Sequence, residues 1–278
     1  MKEELRIPVG IEGFAHPVCS PLDHGVPHHH DELEVNLVLS GSAAYLFGTE
    51  RLPLVAGSMV WLFPRQEHVL IDCSPDFSLW VVVFKPGLVE RHAAHPQRCV
   101  LRSPDPGSLF CRQLESGDVD ALNRVYQSAS IGGDDAEFAN TALAYALIAS
   151  WQAFQFSPDA IARTDVHPAV AKAVRILAET EGAMPLAKLA RAAGLSASRL
   201  SRLFKEQTHV SLTTFRQRQC LERFLRIYRA GARYSLTEAA FLAGFGSYVQ
   251  FHRVFRRQIG KSPAEYGRDL KAATPAGL

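Results

Sequence analysis

The sequence predicts an α+β protein of two domains: a β-barrel or sandwich with trailing helices, then an all-α domain of two helix-turn-helix units joined by a long helix. Three observations predict it. Apolar runs of strand length crowd the opening part of the chain, the last third repeats itself at helical periodicity, and the charge is divided. Residues 1–164 hold 11 Lys+Arg against 20 Asp+Glu, a net of −9, while residues 165–278 hold 19 against 8, a net of +11. An acidic half joined to a basic half points to a nucleic-acid-binding module attached to something else. With 278 residues, 47% of them hydrophobic, there is enough chain for two cores.

Over residues 1–105 the runs EVNLVL, AAYLFG, GSMVWLF and LWVVVF alternate with turn residues at short intervals, the pattern of a barrel. Residues 106–156 change to helical spacing. The stretch FANTALAYALIASWQAFQFSP carries no charge and approaches the length of a membrane span. It is alanine-rich, however, and Asn140, Gln152 and Gln155 interrupt it, while Leu143, Leu147, Trp151 and Phe154 recur on one side of a helix. An amphipathic helix follows, buried in its own domain or against a second copy, with no membrane partner. Residues 1–156 are thus expected as one domain whose helices make a homodimer contact, 157–167 as a linker within the two-proline stretch FSPDAIARTDVHP, and 168–270 as the second domain. The five cysteines form no CxxC pair and the start MKEELR does not read as a signal peptide, so free thiols in the cytoplasm are expected.

The repeat runs from Leu186 to Phe215 and again from Leu236 to Tyr266. Leu186, Ala190 and Gly194 match Leu236, Ala240 and Gly244 at an offset of 50; Leu200, Arg202, Phe204 and Ser211 match Phe251, Arg253, Phe255 and Ser262 at 51. Each copy, at about 186–207 and 236–258, reads as a helix, a glycine turn and a second helix, with Phe215 to Tyr228 as a helical spacer. Leu200 and Phe204, like Phe251 and Phe255, are spaced to anchor the second helix. Ser198, Arg199, Ser201 and Arg202 in one copy, and Val249, Gln250, His252 and Arg253 in the other, then face outward, where they can reach base edges in the major groove of double-stranded DNA. Lys205, Arg256 and Arg257, at the helix ends, are placed for phosphates.

The stretch GFGSYVQFHRVFRRQIGKSPAEY resembles the signature of the AraC/XylS family of transcriptional regulators, and 168–270 as a whole resembles that family's DNA-binding domain. The second copy departs at Val249, usually serine, and at Gly267, often arginine. The first has His209 for glycine, Leu212 for proline and Cys220 for arginine. The resemblance implies direct-repeat-like half-sites, activation of nearby genes and contact with RNA polymerase.

The remaining signal is GVPHHHDELEVNLVLSG. On a strand His28, His30, Glu34 and Asn36 share one face. His28-x-His30-x₃-Glu34-x₆-Gly41, followed by Gly57, Pro64 and His68, resembles the two cupin motifs, so the first domain is expected as a cupin-like barrel. In metal-binding cupins the three histidines and the glutamate hold one ion; here Zn, Fe, Mn or Ni would suit the set. Three readings stay open. The side chains line a barrel that binds a small effector, together with Asn36, Tyr45 and Trp61; or they hold a divalent metal as part of sensing; or the barrel is a metal-dependent enzyme fused to a DNA-binding domain. AraC-like regulators commonly carry such a barrel as a sensor, so the first is taken, with no cofactor required and no catalytic residues. No GxSxG, P-loop or GxGxxG after a strand is present.

Overall fold

The computed structural model describes residues 2–19, 27–104, 106, 110–130, 135–157, 159–180, 184–229 and 234–273. They fall into two units that divide between Asp165 and Val166, a β-rich unit with helices and a purely helical one.

The first unit contains β1 (Gly13–Val18), β2 (Leu33–Ser40), β3 (Ser42–Phe47), β4 (Glu50–Val55), β5 (Ser58–Leu62), β6 (Val69–Ile71), β7 (Ser78–Phe84), α1 (Pro86–His92), a 3₁₀ turn at Cys99–Arg102, β8 (Phe110–Gln113), α2 (Ser116–Ser130), α3 (Ala136–Phe156), β9 (Asp159–Ala160) and β10 (Thr164–Asp165). Two antiparallel sheets result, one in the order β1-β7-β2-β5-β8-β9 and the other β10-β4-β3-β6. The first is covered on both faces, which is why β5 and β7 read as unbroken apolar runs rather than alternating ones. Val38, Val60, Leu62, Leu79, Val81 and Val83 face Tyr45, Phe47, Leu52, Leu54 and Leu70 of the smaller sheet. On the other face Val35, Met59, Trp61, Trp80, Val82 and Phe84 pack under Leu88, Tyr126, Leu143, Leu147, Trp151 and Phe154 of the helices.

The charge-free stretch is α3, begun by Asp135, whose carboxylate accepts the Phe138 N–H at 3.0 Å. It lies on the sheet through the residues that its spacing singled out, and leaves Phe138, Tyr145 and Phe156 exposed. Among the described residues no helix is long and apolar enough to cross a membrane. Two boundaries differ from expectation. The strands do not stop near 105, because β8 adds to β5; and 157–167 is not a free linker, because β9 pairs with β8 and β10 with β4. Ser157 Oγ also donates to the Gln113 carbonyl, and Arg163 meets Glu50 at 2.9 Å.

The second unit comprises α4 (Pro168–Glu179), α5 (Leu186–Ala192), α6 (Ala197–Thr208), α7 (Leu212–Arg229), α8 (Leu236–Leu242), α9 (Tyr248–Ile259) and α10 (Pro263–Ala273). Gly194 and Gly244 turn the chain with φ of 79° and 98°, a left-handed backbone in which a β-carbon is costly. The spacer helix α7 forms the centre of the unit rather than a bare strut. Phe215 packs on Phe204 of α6 with ring centroids 5.3 Å apart, and Phe224 packs on Phe251 of α9 at 4.5 Å.

The weaker first copy also shows here. His209 ends α6 at φ 60°, donating its N–H to the Lys205 carbonyl, where Gly260 ends α9 at φ 80°. Exchanging His209 for glycine relieves the left-handed strain, and the added freedom of the unfolded chain offsets part of it. His209→Gly is therefore expected to stabilise the helical unit by about 1 kcal/mol. A higher urea midpoint checks this; a lower one would mean that the imidazole makes a contact worth more than the strain.

Candidate functional site

Two surfaces and one interior carry polar groups that the fold does not explain. The interior lies between the two sheets. Because β2 alternates, Val35 and Leu37 go to the helices while Glu34, Asn36 and Val38 go between the sheets. Glu34 and Asn36 are therefore buried, at 4% and 1% exposure. They are joined by hydrogen bonds: Asn36 Nδ2 donates to Glu34 Oε1 at 2.7 Å and to the Tyr45 hydroxyl oxygen at 2.8 Å, and Glu34 Oε2 lies 2.9 Å from His30 Nε2. His68 enters from the opposite sheet side, its backbone exchanging hydrogen bonds with that of His28.

His68 Nδ1 is 2.8 Å from the Gln66 carbonyl. A carbonyl only accepts, so Nδ1 bears the proton and Nε2 presents a lone pair. That Nε2, like Asn36 Oδ1, is buried without a hydrogen-bond partner. Two orphaned acceptors so close to a carboxylate are expensive, roughly 1–3 kcal/mol each, and mark the place where donors or a cation would be welcome. His30, Glu34 and His68 bring one ligand atom each within 4.8 Å of one another. Two imidazoles and a carboxylate fit a divalent transition metal, with His68 already turned by the Gln66 carbonyl as metal-bound histidines are.

Of the other expected members one joins the group and one does not. His28 is buried against the trio, its ring centroid 4.3 Å from that of His68 and 6.4 Å from that of His30, with its Nε2 turned to Glu3 at 3.4 Å. Trp61 faces the helices, where its ring packs on Phe84, Trp151 and Phe154, since alternation along β5 sends Val60 and Leu62 inward instead. Gln66, whose carbonyl sets the His68 tautomer, left no signal in the sequence.

The titration of these groups follows their surroundings. Burial, and after it the His28 charge, lowers His68 from 6.5 to about 3. Burial also pulls His30 down, but the Glu34 carboxylate outweighs it through hydrogen bond and charge, so His30 is raised. Tyr45, buried and near Glu34, is pushed well above the ordinary phenol value. For His68 the sign is clear: below pH 6.5 the unfolded chain takes up a proton that the folded one refuses until about pH 3. Stability contributed by this group falls as pH falls through that window, by about 1 kcal/mol per unit. His30 acts oppositely, its contribution being present below its unfolded value and lost as pH rises through its raised folded one. Urea midpoints of the β-rich unit should therefore decline from pH 6.5 towards about pH 4, and His68→Gln should flatten that decline; an unchanged slope would remove His68 from the interior.

The outer faces of α6 and α9 form the second candidate site. Leu200, Phe204 and Thr208 bury one side of α6, and Phe251, Val254 and Phe255 one side of α9. Each helix begins on a serine, Ser196 accepting the Arg199 N–H and Ser247 accepting the Gln250 N–H. Ser198, Arg199, Arg202 and Lys205 are exposed and Ser201 half-buried; Val249, Arg253, Arg256 and Arg257 are exposed, and Gln250 and His252 half-buried. The predicted outer faces are thus the ones that the core leaves free. Two arginines are partly engaged: Arg202 lies 3.8 Å from Glu206, and Arg257 donates to Gln217 Oε1 of α7 at 3.0 Å. A third set has no counterpart among the predicted site residues. Arg216, Gln219 and Arg223 line a recess beside α7; their spacing of three and four puts them on one helix face, a legible signal that a reading of α7 as a mere spacer passes over.

Comparisons with known proteins agree with this division. The family model for an AraC-like ligand binding domain matches residues 13–120, and one for a helix-turn-helix domain matches residues 189–269. No curated protein matches the chain. Among solved structures, wild-type ToxT from Vibrio cholerae, with an unsaturated fatty acid bound, is 14% identical over 94% of this chain and 96% of its own, with a TM-score of 0.38. The DNA-binding domain of AdpA, a global transcriptional factor, solved with a target DNA, is 29% identical over 39% of this chain and 97% of its own, with a TM-score of 0.35. The AraC-like transcriptional activator CuxR is 15% identical over 77% of this chain and 73% of its own, with a TM-score of 0.33. At such TM-scores these likenesses carry no weight. The two family models do, and the chain belongs to the AraC family of DNA-binding transcription regulators, with a ligand-binding domain ahead of its helix-turn-helix domain.

Proposed function

We propose that the protein is a one-component activator whose β-rich unit senses a small polar molecule, through Asn36, Tyr45, His30, Glu34 and His68, and whose α6 and α9 read two direct-repeat-like half-sites. The observation that carries the sensor reading is the pair of buried acceptors, Asn36 Oδ1 and His68 Nε2, without partners: a ligand that donates hydrogen bonds would satisfy both. Ser198, Arg199, Ser201, Arg202, Val249, Gln250, His252 and Arg253 take the base edges in this reading, and Lys205, Arg256 and Arg257 the phosphates. The ligand can shift DNA binding only by favouring one arrangement of the protein over another. A homodimer through the exposed face of α3, recruitment of RNA polymerase and residence in the cytoplasm complete the proposal. The chain acts by binding and not by catalysis, which is what membership of a regulator family supports.

Mapping of bound DNA across the genome, followed by titration of compounds suggested by the neighbouring genes, tests this. Asn36→Leu is expected to abolish the response to the compound and to leave unliganded DNA binding in place. Failure of the protein to prefer any genomic fragment over scrambled competitor overturns the regulator reading.

The geometry of His30, Glu34 and His68 favours one second reading, a metal in the same place. Chelation and re-addition of zinc, iron, manganese or nickel would then alter DNA affinity, and His30→Ala would remove that response. Indifference to metal leaves the organic effector as the reading.

A further inference from the structure

The recess beside α7 is a built cavity. It has a volume of about 120 Å³ and lies wholly within the helical unit, between the end of α4, one face of α7 and the turn into α9. Thr180 lines it from the end of α4, Phe245 and Gln250 on the side of the second helix-turn-helix unit, and Arg216, Gln219 and Arg223 along α7. No aspartate or glutamate lines it among the described residues.

Its groups are donors held in place. Arg216 donates to the Met184 carbonyl, just ahead of the first helix-turn-helix unit, and Arg223 Nη1 donates to the Ala243 carbonyl of the second at 3.1 Å, so each guanidinium is pinned by backbone. Gln219 is 2% exposed and its Nε2 has no hydrogen-bond partner. A glutamine that served only to fill space would be better replaced by leucine, because a buried amide without a partner is costly. Two guanidinium groups and an unsatisfied amide donor, in a lining that holds no acid among the described residues, make a receptor for an oxyanion. Partial burial strengthens such charge-assisted hydrogen bonds, and the planar guanidinium matches the spacing of phosphate oxygens.

We propose that this cavity is an oxyanion site for a phosphate group, engaged so as to brace the two helix-turn-helix units against α7. The phosphate has two sources: a backbone phosphate of the DNA between the two grooves, which rests on the DNA-binding reading above, or a small free phosphate compound, which does not. Gln250 belongs to the outer face of α9 as well as to the cavity wall, so an anion there would couple directly to the helix that reads bases.

The test uses the full chain and its Gln219→Leu and Arg216→Gln variants. In the first arm, without DNA, the unfolding midpoint of the helical unit is followed while inorganic phosphate replaces chloride at constant ionic strength. A saturable rise in the parent, absent in both variants, supports a free phosphate ligand. In the second arm, DNA affinity is measured against salt. A slope of log affinity on log salt shallower by about one in Arg216→Gln, with affinity lowered several-fold on cognate and unrelated duplex alike in both variants, supports a DNA phosphate. If the parent gains nothing from phosphate and Arg216→Gln keeps its salt slope, the proposal is overturned. Gln219→Leu guards the interpretation, since it removes the orphaned amide while filling the same space and is expected to fold as well as the parent. A marked loss of its stability in chloride alone would make Gln219 a packing residue and would also overturn the proposal. Should the parent bind no DNA, the reading of α6 and α9 fails, and the phosphate arm alone decides this site.

Discussion

Replacing Arg253 with alanine is expected to weaken binding to the cognate fragment by about 1–3 kcal/mol, roughly five- to 150-fold, and to relax the preference at one base pair. Arg253 is exposed on α9 directly before Val254 and Phe255, which are buried. Core packing therefore sets the direction in which it points, while its own truncation removes no core atom. A bidentate arginine–guanine contact is lost entirely on truncation, since alanine has no donor to replace it. Lys205→Ala supplies the contrast. That ammonium lies in the last turn of α6, is exposed, and is assigned to phosphate in the proposed function. Its loss should weaken all sequences by the same factor and reduce the salt slope by about one. Competition binding with the cognate fragment and single-base variants separates the two patterns. Equal affinity and preference in Arg253→Ala would show that the outer face of α9 has been misassigned.

Two residues earlier the expected effect is of another kind. Phe251 is 0% exposed, and its ring centroid lies 4.5 Å from Phe224 of α7, 5.2 Å from Phe245 and 5.4 Å from Phe255. Phe251→Ala leaves a cavity where the second helix-turn-helix unit meets α7, and should cost about 3–5 kcal/mol. That is a large share of the stability of a small helical unit. DNA binding is expected to fall with it, but as a folding defect: the urea transition of the helical unit moves, while that of the β-rich unit stays. A midpoint within error of the parent would contradict the core of the helical unit.

How legible these features were depended on whether a residue's role repeats or alternates. Phe251 and Arg253 could be told apart in the sequence because a second copy, Leu200 and Arg202, presents the same pair at the same spacing. Glu34 and Asn36 could be placed together because alternation along a strand is strict. Alternation alone did not say which face of β5 looks between the sheets. With both faces covered, Trp61 and Val60 are equally apolar choices, and aromatic size suggested a ligand wall where the structure has helix packing. His28 shares the parity of His30 and its ring does meet that of His68, but it lies before the regular strand, and its Nε2 turns to Glu3. The two-residue strands β9 and β10 have no period to detect, and the prolines and polar residues around them read as linker. Arg216 and Arg223 were visible as charges on a helical face; what no sequence pattern revealed is that carbonyls of Met184 and Ala243 hold them around a cavity.

Those two short strands have a practical consequence. Each sheet would otherwise end on a bare row of backbone donors and acceptors, one along Arg112–Gln113 and the other along Glu50–Arg51. A sensor fragment cut at 156, the end of its last helix, would carry both rows unprotected and invite other chains to join them. Extending the fragment through Asp165 supplies its own selvedge on both sides, and is the shorter route to a well-behaved sample.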